Sequence, residues 1–164
     1  MLGKLKKAFG VEKKVYKIFA PIDGAVVPVS EVNDPAFSEE VLGKGVALKP
    51  SNGRLVSPVN GTVSQMFDTC HAVSITSEDG IGILIHIGLD TVRLKGECFT
   101  TLARTGDSVK IGDVLIEFDK NGIVSAGYDI ITPVIVCNPS DYKVFEIQTG
   151  RNVKAGEELI LLRG

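Results

Sequence analysis

From residue 15 onward, short apolar runs rich in Val and Ile alternate with clusters of Gly, Pro, Asn and Asp. Runs of this kind, bounded by turn residues, are typical of β-strands. Helical signals are weak and are confined to the stretches "DPAFSEEVLG" and "SAGYDI". The pattern therefore predicts an all-β fold, an antiparallel sandwich or barrel with a few short helical turns.

Five dipeptides that end in glycine mark predicted tight turns, because glycine adopts a positive φ at little steric cost. They are Asp23-Gly24, Asn52-Gly53, Asn60-Gly61, Asp79-Gly80 and Asn121-Gly122. Turns at such close intervals fit many short strands.

The chain also resembles itself in two places. The segment "APIDGAV" (20–26) matches "SPVNGTV" (57–63), and "TGDSVKIGDVLIEF" (105–118) matches "TGRNVKAGEELILL" (149–162). In the second pair, identical Thr, Gly, Val, Lys and Gly residues coincide in register. These matches predict an internal pseudo-repeat, a duplicated β-hairpin unit of the hybrid-motif type.

Length and charge define the domain organisation. The 164 residues fit one domain, with residues 18–164 forming a single β domain behind a basic tail of residues 1–17. The tail holds six lysines and one acid, whereas the remaining residues hold 12 basic and 19 acidic side chains. An acidic body is unsuited to nucleic acid, so no nucleic-acid partner is expected.

Two interpretations of the tail remain open. Leu2, Leu5 and Phe9 have helical spacing with lysines between them, a short amphipathic pattern that could lie weakly on an anionic membrane surface. A solvated, disordered terminus is the alternative.

The three cysteines show no CxxC spacing, which favours reduced thiols and a cytoplasmic location.

The only two histidines of the chain both lie in strand-like runs, His86 in "GILIHIGLDTV" and His71 in "QMFDTCHAVSI". Because side chains alternate along a strand, Leu84, His86 and Gly88 should share one face, opposite the isoleucines between them. On the other strand, Thr69, His71 and Val73 are expected on one face in the same way. If the two runs pair as a hairpin whose opposed positions sum to about 157, the two imidazoles face each other across the sheet.

Zinc binding is the first chemistry to consider for this pair. The stretch "HIGLD" gives an H-x-x-x-D pattern, ending at Asp90, that is similar to some β-fold metallopeptidases. No histidine follows His86, and two ligands are too few for an intrinsic zinc site. We therefore expect no intrinsic metal, although His71 and His86 could bind zinc if a partner supplied a carboxylate.

A swinging-arm carrier is the second candidate. The stretch "GDSVKIGDVLIEFDKNG" is similar to biotinyl and lipoyl domains, in which a lysine at a hairpin tip carries the prosthetic group. Lys120 is the only lysine in a suitable place, and this interpretation leaves both histidines without a role. We therefore expect no lysine-bound prosthetic group and no other cofactor.

Phosphoryl transfer through histidine is the third candidate, and here the chain resembles a known family. The stretches "FDTCHAVSI", "ILIHIGLDTVRLKGECF" and "SPVNGTV" closely resemble the IIA component of the bacterial sugar phosphotransferase system, glucose family. The resemblance extends from about residue 18 to the C-terminus. The chain has neither a Walker A motif nor the kinase motifs, so phosphate would have to come from another phosphoprotein.

The resemblance implies a role for each site residue. His86 matches the histidine that accepts phosphate from the phosphocarrier HPr and passes it to a cysteine of a IIB domain. His71 matches the second histidine, which holds the phosphoryl oxygens, and Thr69 matches the hydroxyl that orients its ring. Asp90 matches the acid beside the site.

The sequence departs from the family pattern at three positions near the site. Leu84 and Ile87 stand where many members have Phe, and Cys70 stands where Asn is common. We expect these departures to alter partner affinity.

An apolar rim around the histidines is expected to dock partner proteins and to exclude water. By alignment of motifs, the rim consists of Phe37, Val41, Leu42, Phe67, Leu84 and Val92. Asp34 and Asp90 are expected to meet basic residues of the partner and to steer the encounter.

Overall fold

The computed structural model describes residues 14–164. These residues form fourteen strands, two short α-helices and three 3₁₀ turns. The strands are Val15–Phe19 (β1), Gly24–Pro28 (β2), Lys44–Pro50 (β3), Arg54–Val56 (β4), Gly61–Met66 (β5), Ala72–Ser77 (β6), Gly82–His86 (β7), Phe99–Thr101 (β8), Ser108–Val109 (β9), Val114–Phe118 (β10), Thr132–Val136 (β11), Val144–Ile147 (β12), Asn152–Val153 (β13) and Glu158–Arg163 (β14). The helices are Pro35–Ser38 (α1) and Lys120–Ser125 (α2), and the 3₁₀ turns are Val29–Glu31 (η1), Thr91–Leu94 (η2) and Pro139–Asp141 (η3).

The strands form one large sheet and two small ones, all antiparallel. The eight-stranded sheet has the order β13-β2-β3-β11-β7-β6-β5-β9, and the three-stranded sheets have the orders β1-β14-β12 and β4-β10-β8. Strands of all three sheets contribute to a single main hydrophobic core, which includes Ile18, Ile75 and Leu115. This arrangement confirms the predicted antiparallel β-sandwich.

The first sequence repeat is built into the hydrogen-bonding pattern of the sandwich. The amide of Phe19 donates to the carbonyl oxygen of Pro58 at 3.0 Å, and the amide of Val56 donates to that of Pro21 at 2.8 Å. In the sequence match Pro21 corresponds to Pro58, and Phe19 and Val56 are the residues that directly precede the two matching segments. The two copies therefore make the same contact with each other in both directions, as expected of a pseudo-twofold pair.

The second repeat obeys the same symmetry. The amide of Val26 donates to the carbonyl oxygen of Arg151 at 2.8 Å, and the matching amide of Val63 donates to that of Asp107, also at 2.8 Å. Strand β13 pairs with β2 just as β9 pairs with β5. The predicted internal duplication is thus confirmed in both repeats.

Of the five glycines predicted to adopt a positive φ in tight turns, only one does so. Gly80 has a φ of +86°, but the other four glycines do not adopt positive φ. Three of them, Gly24, Gly53 and Gly61, instead lie against a neighbouring main-chain carbonyl, where a Cβ atom would collide with the oxygen. Glycine is needed at these three positions for close backbone approach rather than for backbone conformation.

The fourth glycine, Gly122, lies inside helix α2, so the predicted Asn121-Gly122 turn was wrong. The Asp119 side chain caps this helix by accepting from the Gly122 amide at 3.0 Å. The helix ends at Ser125, where the predicted helical stretch "SAGYDI" begins. Lys120 is consequently the first residue of a helix and does not occupy the hairpin tip that a swinging-arm lysine requires.

The domain begins earlier than the sequence predicted. Strand β1 starts at Val15 and pairs with the C-terminal strand, so residues 15–17 belong to the sandwich rather than to a tail. The amphipathic pattern of Leu2, Leu5 and Phe9 lies outside the described residues. Within residues 14–164, no helix is long and apolar enough to cross a membrane.

A second, smaller apolar cluster on the large sheet lies next to His86. It contains Val32, Phe37, Ala47, Leu89, Ile131 and Ile135, with Leu84 packed against it. The isoleucines of β7 point to the main core, whereas Leu84 and His86 point away from it. The predicted division of this strand into two faces is therefore correct.

Candidate functional site

The imidazole rings of His71 and His86 are in contact. Their centroids lie 4.7 Å apart, and the ring planes are inclined at 83°. His71 is almost completely buried, with 4% of its surface exposed, whereas His86 is half-buried. The prediction that the two histidines meet is confirmed.

The hairpin register that led to this prediction was wrong by one residue. Strands β6 and β7 pair His86 with Ala72 and Ile85 with Val73, so opposed positions sum to 158 rather than 157. Val73 is consequently buried in the main core and does not share a face with His71. In regular strands this register would place His71 on the face opposite His86.

A local change of backbone conformation brings His71 to the correct face. Cys70 has a φ of +63°, and strand β6 begins only at Ala72. The alternation of side chains holds only in extended backbone, so it does not govern His71. Thr69, which was predicted on the strand, lies in the turn that precedes it.

The ring of His86 is fixed by its neighbour two residues on. Its Nδ1 lies 2.7 Å from the carbonyl oxygen of Gly88. Because a carbonyl oxygen can only accept, Nδ1 carries the proton, and Nε2 of the neutral ring keeps its lone pair. Burial lowers the pKa of His86, while Gly88, Asp34 and Asp90 act in the opposite direction. The site therefore holds a neutral imidazole with a defined tautomer.

The ring of His71 is held by Thr69, whose Oγ1 lies 2.8 Å from Nδ1. Burial, and secondly the nearby His86, lower the pKa of His71 to about 4. His71 is thus neutral at physiological pH. When the Thr69 hydroxyl donates to Nδ1, the ring proton lies on Nε2, which can then donate to an incoming acceptor.

Two carboxylates lie close enough to act on the charge of His86. Asp34 and Asp90 both raise its pKa. Asp34 also caps helix α1 by accepting from the amide of Ala36 at 3.0 Å. Asp90 has a φ of +58° and immediately precedes η2. Asp90, which the resemblance placed beside the site, thus acts on His86, and the steering of a partner by both acids stays a prediction.

The predicted rim is partly exposed and partly buried. Phe37 is 3% exposed, so it is a buried wall of the site rather than a surface residue, and its ring lies 5.2 Å from that of His86. Phe67 is half-buried, with its ring 5.8 Å from that of His71. Leu84 packs on the smaller apolar cluster.

The remaining rim residues are exposed. Val41 and Leu42 follow helix α1, which supplies Phe37, and Val92 lies in η2, two residues after Asp90. Their exposed fractions are 70%, 42% and 48% respectively. Exposed apolar side chains are common on any protein surface, so exposure alone does not assign these three residues to a partner contact.

Among residues 14–164, no group of three or more His, Cys, Asp or Glu side chains is arranged to hold a metal ion. The two imidazoles provide two ligands, whereas structural zinc sites use four and catalytic sites use three with a water. The absence of an intrinsic metal remains a prediction, which elemental analysis can test.

Sequence reasoning missed a layer of residues behind His86. The segment 129–131 hydrogen-bonds to Gly88 and Leu89, and Thr91 hydrogen-bonds to Ile87. The segment lies more than 40 positions along the chain from Gly88, and no motif links the two in the sequence.

Fold and site together define an antiparallel β-sandwich domain with two adjoining histidines beside an apolar cluster. The family model described as "phosphoenolpyruvate-dependent sugar phosphotransferase system, EIIA 1" matches residues 16–142, and the chain belongs to this family. The resemblance inferred from the motifs around His71 and His86 is thereby confirmed at the level of the family.

Individual relatives agree with this assignment. The chain is 44% identical to the PTS system glucose-specific EIIA component of Oceanobacillus iheyensis, over 98% of both chains. It is 49% identical to part of the PTS system beta-glucoside-specific EIIBCA component of Bacillus subtilis, covering 88% of this chain but only 24% of that longer protein. Among solved structures, glucose permease IIA from Mycoplasma capricolum matches with a TM-score of 0.85 at 34% identity, over 90% of this chain and 96% of that one.

Proposed function

We propose that this protein is a phosphocarrier that accepts a phosphoryl group on Nε2 of His86 from phospho-HPr. It then passes the group to a cysteine of a IIB domain during sugar uptake. The observation that carries the proposal is the hydrogen bond from His86 Nδ1 to Gly88, which leaves Nε2 as the free nucleophilic nitrogen. The lowered pKa of His86 supports it, because the neutral ring is the reactive form.

The chemistry is two in-line displacements at phosphorus. In the first, the Nε2 lone pair of His86 forms a P–N bond while the P–N bond of the donor phosphohistidine breaks, and that electron pair returns to the donor imidazole. In the second, a IIB thiolate forms a P–S bond while the P–N bond to His86 breaks. Neither step needs a nucleotide or a redox partner, so positioning and charge neutralisation are the main requirements.

His71 is proposed to hold the phosphoryl oxygens without being phosphorylated. Its ring contacts that of His86, and Thr69 fixes its orientation through Nδ1. A donor on Nε2 would stabilise charge that develops on the phosphoryl oxygens during transfer. Its low pKa keeps the ring neutral, so it acts as a hydrogen-bond donor and not as a fixed cation.

The surface around the histidines is proposed as one docking site for both partners. The exposed Val41, Leu42 and Val92 would exclude water, which would otherwise hydrolyse the phosphoramidate. Asp34 and Asp90 would attract a basic partner surface and raise the rate of encounter. The same site can serve donor and acceptor because the two reactions occur in turn.

A IIB partner is supported by the beta-glucoside-specific relatives, whose names combine EIIB, C and A in one protein. The free thiols of Cys70, Cys98 and Cys137 are in keeping with a cytoplasmic location.

A weak contact of residues 1–17 with an anionic membrane surface remains a proposal that rests on the sequence pattern. The zinc hydrolase and swinging-arm alternatives are not favoured, since the family and the position of Lys120 oppose them.

A transfer experiment with an isolated IIB domain tests this function. The protein is first phosphorylated with phosphoenolpyruvate, enzyme I and HPr, then separated from them and mixed with IIB. We expect this chain to lose one phosphate as IIB gains one. Loss of phosphate to solvent at the same rate with and without IIB would contradict the carrier function.

A further inference from the structure

The peptide unit between Ile87 and Gly88 is held at both ends. The Thr91 hydroxyl donates to the Ile87 carbonyl oxygen at 2.5 Å, and the Gly88 amide donates to the carbonyl oxygen of Ile131 at 3.0 Å. Thr91 is fully buried, and Ile131 is 4% exposed. Water therefore has little access to replace either bond, so the plane of this peptide is fixed.

The next peptide unit, between Gly88 and Leu89, carries the carbonyl that binds His86. Its amide donates to the carbonyl oxygen of Asp129 at 2.9 Å. In a trans peptide the N–H and C=O bonds point in opposite directions. Fixing the amide on Asp129 therefore directs the Gly88 carbonyl to the other side, where it meets His86 Nδ1 at 2.7 Å.

The segment that supplies these acceptors is itself held by a local bond. The Asp129 side chain accepts from the amide of Ile131 at 2.9 Å through Oδ1. This bond fixes the spacing between the two carbonyl groups that receive the amides of Gly88 and Leu89. Asp129 is exposed, so its side chain fulfils this role without contributing to either apolar core.

Gly88 fits this arrangement because of both its conformation and its size. Its φ is +75°, and a Cβ atom there would lie 2.7 Å from both the Asp129 carbonyl oxygen and the Thr91 Cγ2. The same two residues that orient the neighbouring peptides also enclose the Gly88 Cα. The turn consequently has one conformation in which the carbonyl reaches the histidine.

We propose that Thr91, Asp129 and Ile131 form a brace that positions the Gly88 carbonyl on His86 Nδ1 and so fixes the tautomer of the acceptor histidine. These are positioning residues, since they act through the Gly88 carbonyl and not on the phosphoryl group. The kinetic consequence rests on the proposed function, whereas the tautomer of His86 can be measured without it. Loosening the brace allows the proton to move to Nε2, which removes the nucleophilic lone pair from the reactive atom.

The test compares Thr91→Val with Thr91→Ser. Valine keeps the shape of the side chain but removes the hydroxyl donor, whereas serine retains it. Ser57→Ala is the matched control, because the Ser57 hydroxyl is also fully buried and donates to a main-chain carbonyl, that of Val59, outside the histidine site. Ring ¹⁵N spectra of His86 report the tautomer, and quenched-flow phosphorylation by phospho-HPr reports the rate.

We expect the wild type, Thr91→Ser and Ser57→Ala to show a protonated Nδ1 and an unprotonated Nε2. In Thr91→Val the two ¹⁵N signals should move toward each other, and acceptance should slow by about tenfold. An unchanged ¹⁵N spectrum in a folded Thr91→Val protein would overturn the brace. Failure of the wild type to accept phosphate would instead refute the proposed function and leave the ¹⁵N comparison valid.

A second pair of variants covers the case in which Thr91→Val does not fold. Asp129→Ala removes the bond to the Ile131 amide at an exposed position, and Asp129→Asn retains an acceptor oxygen without the charge. The brace predicts altered ¹⁵N signals and slower acceptance in Asp129→Ala, with both restored in Asp129→Asn. Equal slowing in both variants, with unchanged ¹⁵N spectra, would point to the charge of Asp129 and would contradict the brace.

Discussion

His71 and His86 meet almost at right angles, with ring centroids 4.7 Å apart, although the hairpin between them pairs His86 with Ala72. The two rings are held by different partners, since His86 bonds to the carbonyl of Gly88 and His71 to the hydroxyl of Thr69. A carbonyl fixes one tautomer, whereas a hydroxyl can donate or accept. This difference supports different roles for the two histidines, one as acceptor and one as hydrogen-bond donor.

Replacing His71 by Gln should separate these roles. A Gln amide can still donate a hydrogen bond to a phosphoryl oxygen, so acceptance from phospho-HPr should fall by less than about tenfold. Onward transfer to IIB should fall more, because the amide is less well placed than a fixed ring. A two-stage assay measures each step separately. Complete loss at the first stage would contradict a supporting role for His71.

The hydroxyl of Thr69 should matter through the orientation of His71. Thr69→Val removes the bond to Nδ1 while keeping the shape of the side chain, and should slow onward transfer by about three- to tenfold, the effect of one neutral hydrogen bond. Thr69→Ser should restore most of the rate. Single-turnover transfer to IIB is the measurement. If valine and serine behave alike, the hydroxyl is not responsible for orienting the ring.

Stability should decrease in acid because of His71. Its pKa falls from 6.5 to about 4 on folding, so between these values the unfolded chain binds the proton and the folded protein does not. Stability from this group is complete above about pH 6.5 and is lost as the pH falls toward 4, a loss of about 2 kcal/mol at pH 5. Urea unfolding at pH 7 and pH 5 should show a smaller decrease in His71→Gln than in the wild type. An equal decrease in both proteins would show that His71 does not titrate in this way.

Zinc content tests the metal prediction. Protein purified alone and dialysed should contain no stoichiometric zinc, because His71 and His86 supply only two ligands. Zinc that binds with the help of a partner carboxylate should compete with phosphorylation of His86. Both need the same unprotonated ring nitrogen, which can bind either the metal or the phosphoryl group but not both. Elemental analysis decides the first point. One zinc ion per chain that survives mild chelation would favour the hydrolase-like alternative.

The sequence predicted the face of His86 correctly because β7 is a regular strand with isoleucines in alternate positions. It predicted the meeting of the two histidines from a register that was one residue out. The conclusion held because the positive φ at Cys70 turns His71 to the same face. Local alternation is readable from sequence, but a single left-handed residue at the end of a strand is not a periodic signal.

The burial of individual side chains and the contacts between distant segments were harder to predict from the sequence. Phe37 was expected at the surface but is buried, because helix α1 packs on the outer face of the sheet, and no local pattern reveals this packing. Three predicted turn glycines serve close backbone approach instead, which depends on a neighbouring strand. The contact of segment 129–131 with Gly88 likewise depends on the pairing of β11 with β7.

The central claim is that His86 is the phosphoryl acceptor, and the most direct measurement is intact mass after incubation with phosphoenolpyruvate, enzyme I and HPr. The wild type should gain the mass of one phosphate, and His86→Gln should gain none, because glutamine lacks a nucleophilic ring nitrogen. His71→Gln provides the matched control and should still gain one. A wild type that gains no phosphate, or a His86→Gln variant that gains one at the normal rate, would contradict the account.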